Sequence, residues 1–293
     1  MFRESRKNML DLFEFMRLVE TEKSCLEFLL QQGILYPERS CTKCGRQMRL
    51  FVERGLWRCT ASCGGSVSIR DRSFFAGSRL TCREILLLGY LWINRVPTTS
   101  IMALSGSSSA TVCAFTSYYR QLVADSLDEV DCQVGGRGII VEVDESKISK
   151  RKYQRGHHVE GAWVVGGIER ADAGKVFIAV VEDRGYESLL GVLRRYVLPG
   201  SILYSDMWRA YPRIAAELEM EHRTVNHSRE FVSADGVHTN SIEGTWCGLK
   251  LMIPKRNRSA NVEDHLWEYI WRKLHRDNVW GSFLEALKSV AYE

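Results

Sequence analysis

Long hydrophobic runs are what this chain most lacks. The longest, Ile85 to Ile93, is about half of what a bilayer crossing requires, and Glu84 and Arg95 bracket it, which excludes a helical membrane span. The opening residues, Met-Phe-Arg-Glu-Ser-Arg-Lys, lead into no apolar core, because charges recur through Lys23; no secretory signal is expected, and a reducing intracellular compartment is. A strong net charge is missing too, and a formal +4 over 293 residues selects no partner. The distribution says more: residues 39–83 hold ten Lys or Arg against only Glu53 and Asp71, so the rest of the chain is net acidic. With 45% hydrophobic and 26% charged residues, the remainder is ordinary globular material, enough for a sizeable core and, by length, about two domains.

That basic stretch contains four of the nine cysteines, as Cys41-x2-Cys44-x14-Cys59-x3-Cys63; the other five are scattered. Two close pairs separated by a hairpin-length insert can converge tetrahedrally on Zn²⁺ as thiolates, and a reducing compartment disfavours the alternative of a disulfide framework. Gly45 and the Gly64-Gly65 pair follow the cysteines, as a tight knuckle needing positive φ requires. Leu50, Phe51, Val52, Leu56 and Trp57 predict the hairpin of a zinc ribbon, and Arg46, Arg49 and Arg58 around it are candidate DNA contacts.

Apolar residues at helical spacing from Asn8 to Gln31 predict a helical pair ending near Gly33. Thr81–Asn94 reads as a buried helix, Pro97–Leu104 as a second and Ala110–Val123 as a third, with a turn at Ser105-Gly106-Ser-Ser-Ser109. This is the pattern of a helix-turn-helix, and three core helices without DNA contact would read the same.

From residue 136 the texture becomes β-rich. Gly138–Asp144, Ala162–Ile168 and Val176–Val181 read as successive strands, followed by a helix (Glu187–Val197), a strand (Ser201–Ser205), a helix (Trp208–Met220) and a short strand at Arg223–Val225. The order β-β-β-α-β-α-β-α is that of a ribonuclease H-like domain. Asp144 ends the first strand, Asp206 follows the fourth, and Glu243 sits in the helical stretch from Asn240 to Lys250, so the three form a candidate carboxylate triad for Mg²⁺ or Mn²⁺. Glu145, one residue on, faces the other side of the strand and is left out. Asn240 reads as the helix N-cap, with a place on the Glu243 face as the alternative. Lys250, seven residues past Glu243, lies two turns along the same face; it reaches a phosphate or is simply solvated. Lys150, Arg151 and Lys152, together with Lys255, Arg256 and Arg258, form basic clusters that flank the acids in sequence and are candidate phosphate contacts. His222 and His227 are read as structural, and the aromatic stripe from Leu266 to Leu274 as core or a dimer face.

Val143-Asp-Glu-Ser, Arg155-Gly-His-His-Val-Glu-Gly-Ala-Trp-Val-Val-Gly-Gly-Ile-Glu-Arg170, Ser205-Asp-Met-Trp-Arg-Ala-Tyr211, Val225-Asn-His-Ser228 and His238-Thr-Asn-Ser-Ile-Glu-Gly-Thr-Trp246 together resemble the Merlin superfamily of cut-and-paste transposases, a pattern shared with bacterial insertion-sequence transposases. The resemblance implies a DDE transposase that cleaves DNA at transposon ends and transfers the freed 3′-hydroxyl to target DNA, with two divalent ions at Asp144, Asp206 and Glu243. It also implies double-stranded DNA as partner, at least a homodimer on DNA, and a nuclear location in a eukaryote or cytoplasm and nucleoid in a bacterium. The expected plan is a helical segment (1–36), a zinc ribbon (37–80), a helix-turn-helix-like region (81–134), a ribonuclease H-like catalytic domain (135–280) and a helical tail (281–293). A domesticated DNA-binding protein without the chemistry and a structure-selective nuclease of the same fold are the rival readings.

Overall fold

The computed structural model describes residues 10–148, 162–172, 174–226, 232–233, 235–253 and 262–292. The chain divides into two units, residues 1–126 with 277–293 and residues 127–276. No described helix is long and apolar enough to cross a membrane.

In the first unit, α1 (Leu12–Leu18) and α2 (Glu22–Gln31) precede a three-stranded antiparallel sheet, β1 (Met48–Phe51), β2 (Leu56–Cys59) and β3 (Ser66–Ser68); α3 (Cys82–Ile93), α4 (Thr98–Ser105) and α5 (Ser109–Asp125) follow. Asp11, Thr21, Thr81 and Ser108 cap their helices by accepting first-turn amides that no backbone carbonyl can reach. Glu22 adds a cap from a distance: its carboxylate accepts the amides of Cys82 at 2.8 Å and Arg83 at 2.9 Å, which ties α2 to the start of α3. The apolar run Ile85–Ile93 is explained by α3 lying among α2, α4 and α5, so that almost its whole circumference is buried. Gly106, at φ +68, ends α4 in the left-handed region, where a side chain would be strained.

The second unit runs β4 (Val134–Gly135), β5 (Ile140–Lys147), β6 (Trp163–Glu169), β7 (Val176–Val181), α6 (Tyr186–Tyr196), β8 (Val197–Leu198), β9 (Ile202–Ser205), α7 (Tyr211–Glu217), β10 (Glu221–Thr224), α8 (Asn240–Met252) and α9 (Val262–Leu274). Five strands form a mixed sheet in the order β10-β9-β5-β6-β7; β5, β6 and β7 are antiparallel neighbours, β9 is parallel to β5, and β10 is parallel to β9. Helices cover both faces. On one, Trp246 of α8 lies against Gly166, and α9 packs on β7; on the other, Phe177 of β7 stacks on Tyr196 of α6 with ring centres 5.3 Å apart. Burial from both sides is why β6 and β7 read as nearly continuous hydrophobic runs rather than alternating ones.

Two expectations are corrected. Asp144 does not end its strand, because the pairing of β5 with β6 continues to Lys147 opposite Trp163. Nor does the C-terminus form a tail beyond a catalytic domain reaching residue 280. α10 (Val279–Ser289) is a core helix of the first unit, with Trp280 edge-on to Phe15 at 5.7 Å and Phe283 edge-on to Tyr119 at 5.6 Å. These contacts join residues that sit far apart in the chain, so helical spacing near the C-terminus carried no sign of them.

Candidate active site

β5 and α8 are joined by three polar contacts spaced along both elements. Glu142 accepts hydrogen bonds from the amides of Ser241 (2.7 Å) and Ile242 (3.2 Å) and from the Ser241 hydroxyl (3.0 Å). Asp144 Oδ2 accepts from the indole of Trp246 at 2.9 Å, and Ser146 Oγ accepts from Lys250 at 2.7 Å. Two residues of strand advance about 6.6–6.8 Å, and the four or five residues between helix partners advance about 6–7.5 Å, so the ladders stay in step. Asn240 is therefore not the cap. Thr239 occupies the N-cap position, and the buried carboxylate of Glu142 takes the first free amides, favoured there by the helix dipole. Glu142 also pairs with Arg170 at 3.2 Å and with His238 at 3.4 Å, which gives His238 a partner within the fold. Glu142→Gln, which removes the charge from a fully buried, multiply paired carboxylate, is expected to cost about 3 kcal/mol in urea unfolding.

Gly166 permits the approach of α8. It pairs with Asp144 across β5 and β6, and a Cβ on it would lie 2.7 Å from the Trp246 ring and 2.9 Å from the Phe177 carbonyl oxygen. Neither neighbour can yield cheaply, so Gly166→Ala is expected to lower stability by about 1–3 kcal/mol and to displace Trp246 from Asp144, a change readable in tryptophan fluorescence.

The carboxylates meet where β9 stops. β9 pairs with β5 only from Ile140↔Ile202 to Glu142↔Tyr204, and Asp206 follows its last residue. Continuing that register places Asp206 level with Asp144 at the flank of β5 that β9 leaves unpaired. One carboxylate oxygen each from Asp144, Glu145 and Asp206 lies within 4.8 Å of the others, which suits the oxygen-donor preference of a hard divalent cation. Asp206 Oδ1 is held by the Trp208 amide at 2.9 Å. Burial, opposed by the Trp246 N–H and aided by repulsion from Asp206 and Glu243, pushes Asp144 up to about 6. Burial likewise pushes Glu145 up to about 7; Arg184 opposes this, and Asp144 and Asp206 reinforce it. Glu243 stands exposed in the first turn of α8, where its Oε1 accepts a long hydrogen bond from Thr239 at 3.4 Å; it adds to the field at Asp144 and lies outside the tight group of three.

Glu145 thus enters the site although the strand's alternation sends it to the opposite face. A glutamate has the reach to come round an edge that β9 no longer covers. Trp246 was also missed from sequence, although it lies three residues after Glu243 and four before Lys250, on the same helical face. Arg184, over the rings of Trp208 (4.0 Å) and Trp163 (4.9 Å), carried no local signal. His222 bonds Ser205 Oγ at 2.8 Å, and the stripe residues Leu266, Tyr269, Ile270 and Trp271 are buried. Lys150, Arg151, Lys152, Lys255, Arg256, Arg258 and His227 lie outside the described residues.

In the first unit, the Sγ atoms of Cys41, Cys44, Cys59 and Cys63 all lie within 4.8 Å of one another. Cys41–Cys63 measures 3.6 Å, and both Cys44–Cys59 and Cys44–Cys63 measure 3.5 Å. A tetrahedral site with Zn–S bonds of about 2.3 Å has edges of about 3.8 Å, whereas a disulfide needs about 2.05 Å, so the set is compatible with structural zinc. Gly65 makes the knuckle tight, since a Cβ there would sit 2.7 Å from Cys41 Sγ. Arg49 and Arg58 are direct cross-strand partners on the exposed face of β1 and β2, and Arg46 is exposed in the turn before them. Like charges placed opposite one another repel, and a phosphate between them would relieve it.

The family model described as "ISXO2-like transposase domain" matches residues 133–278, a span that contains β5, Asp206 and α8. A Haemophilus influenzae protein described as "Uncharacterized transposase-like protein" is 32% identical over 100 residues, which cover 80% of that protein and 33% of this chain. With that relative matched over most of its length and the family domain spanning the whole carboxylate site, this chain belongs to the ISXO2-like transposases, of the insertion-sequence type.

Proposed function

We propose that the chain is a DDE transposase that binds the inverted repeats at transposon ends, cleaves there and transfers 3′-hydroxyl ends to target DNA. The observation that carries this is the meeting of Asp206 with Asp144 at the flank of β5, one acid within β5 and one just past the end of β9 converging within 4.8 Å. The strand order β10-β9-β5-β6-β7, with three antiparallel and two parallel strands, supports a ribonuclease H-like catalytic domain.

Asp144 and Asp206 would hold Mg²⁺ or Mn²⁺, and the bound ions would supply charge stabilisation for the attacking and leaving oxygens of an in-line displacement. The Trp246 indole and the Trp208 amide hold the two carboxylates in position. Glu243, exposed beside them, would complete the acidic set and orient water or the 3′-hydroxyl. Lys250, two turns along α8, would neutralise a phosphodiester oxygen.

The cysteine cluster with its hairpin would form a zinc ribbon, and α4 with α5 a helix-turn-helix, both serving end recognition with Arg46, Arg49 and Arg58 on phosphates. The narrower Merlin placement rests on the quoted motifs, and a nuclear location would follow from it. Two ends must be joined, so at least a dimer on DNA is expected.

The test is incubation with DNA carrying the inverted repeats that flank the coding sequence, with Mg²⁺ or Mn²⁺, followed by mapping of strand breaks. Metal-dependent cuts at the repeat ends support the proposal. Binding without cuts would replace it with a DNA-binding role, and cuts confined to branched DNA would replace it with a structure-selective nuclease.

A further inference from the structure

Glu145 is a buried acid that the reaction described above does not use. Its side chain is 1% exposed, and its Oε1 has no hydrogen-bond partner among the described residues. The Tyr211 hydroxyl, also buried, lies close enough to influence it but outside hydrogen-bonding geometry. Its ion-pair partner, Arg184, stands 3.7 Å from Oε2, longer than the roughly 2.7–2.9 Å of a charge-assisted hydrogen bond, and the Arg184 Nε is itself unpartnered among the described residues. A buried carboxylate with one oxygen unmet and the other only loosely paired is half satisfied, and a fold retains such a group at a cost unless a further partner completes it. One of its oxygens lies within 4.8 Å of a carboxylate oxygen of both Asp144 and Asp206.

Resting on the divalent-cation reading of this site, we propose that Glu145 is a direct oxygen ligand of a divalent cation held jointly with Asp144 and Asp206. Asp144 approaches from the α8 face of β5, Glu145 from the opposite face, and Asp206 from the end of β9, so three carboxylates enclose the strand's uncovered flank. The extra methylene of glutamate provides the reach that an aspartate on that face would lack. Arg184, fixed over Trp208 and Trp163, serves as the counter-ion of Glu145 when the cation is absent. Glu243, outside this group of three, is left to face the nucleophile.

The experiment is a Mn²⁺ titration of the full-length, zinc-loaded protein without DNA, with free Mn²⁺ counted by electron paramagnetic resonance. Glu145→Gln is expected to weaken Mn²⁺ binding about tenfold or more, and the double variant Glu145→Gln with Arg184→Met is expected to stay equally weak, because an oxygen ligand is gone. Wild-type affinity in Glu145→Gln, or recovery of affinity in the double variant, would overturn the proposal; the latter would make Glu145 merely the counter-ion of Arg184. Asp144→Asn separates the two layers of the argument. If it loses Mn²⁺ while Glu145→Gln does not, only the Glu145 assignment fails; if neither loses Mn²⁺, the cation reading of the whole site fails. Should Glu145→Gln not fold, Arg184→Met carries the test, because releasing the carboxylate is expected to tighten Mn²⁺ binding several-fold, and unchanged or weaker binding overturns the proposal.

Discussion

Asp144→Asn is expected to abolish metal-dependent cleavage of transposon-end DNA, by about a thousandfold or more, while leaving binding to that DNA unchanged. The size follows from losing several kcal/mol of transition-state charge stabilisation, at about 1.4 kcal/mol per factor of ten. The substitution keeps the shape of the side chain, and the amide oxygen can still accept the Trp246 indole hydrogen at the position now occupied by Oδ2. Loss of activity would then not come from a damaged fold. The variant should in fact melt no lower than the wild type. Burial raises the Asp144 carboxyl from 3.8 to about 6, so between these values the folded state binds more protons than the unfolded one. The zinc-loaded, magnesium-free protein therefore loses stability from this group as pH rises from about 4 through about 6, and Asp144→Asn removes that slope. A gel assay of end cleavage beside a binding assay measures the first effect, and melting against pH measures the second. Retained cleavage in the variant would defeat the assignment.

Removing the metal from the cysteine cluster is expected to unfold its sheet outright and abolish end binding. The buried core there consists of Cys41, Met48, Trp57 and Cys59, with Leu50, Ala61, Cys63 and Val67 partly covered around it. Two of the four buried residues are therefore themselves cysteines, and so small a core does not hold a fold by hydrophobic burial alone. Structural zinc in comparable small modules contributes roughly 10–16 kcal/mol of apparent binding free energy at neutral pH, which is also folding free energy. Cys59→Ser, placed on β2 in register with Met48, should give the same result as a chelator. The readouts are zinc content, loss of Trp57 burial by fluorescence, and end binding by electrophoretic shift. A Cys59→Ser protein with an intact sheet and wild-type DNA affinity would show that the metal is dispensable.

The sequence by itself determined what depends on near neighbours. The cysteine spacing marked the cluster, the apolar run at Ile85–Ile93 marked a buried helix, Gly106 marked the end of α4, and hydrophobic texture placed β5, β6, β7, β9 and β10 within a few residues but not the two-residue β8, because each of the former is written in a window of ten or twenty positions. Tertiary structure alone decided how those pieces meet. Whether β9 lies beside β5, and where their pairing stops, depends on hydrogen bonds across some sixty residues, and that stopping point is what leaves Glu145 free to reach Asp144 and Asp206 from the far face. The same holds for Glu142, a strand acid that caps a helix about a hundred residues later, and for Gly166, whose missing side chain makes room for Trp246. Alternation along a strand tells which face a side chain leaves from, but it does not tell where the neighbouring strand ends and thus which faces can share a site.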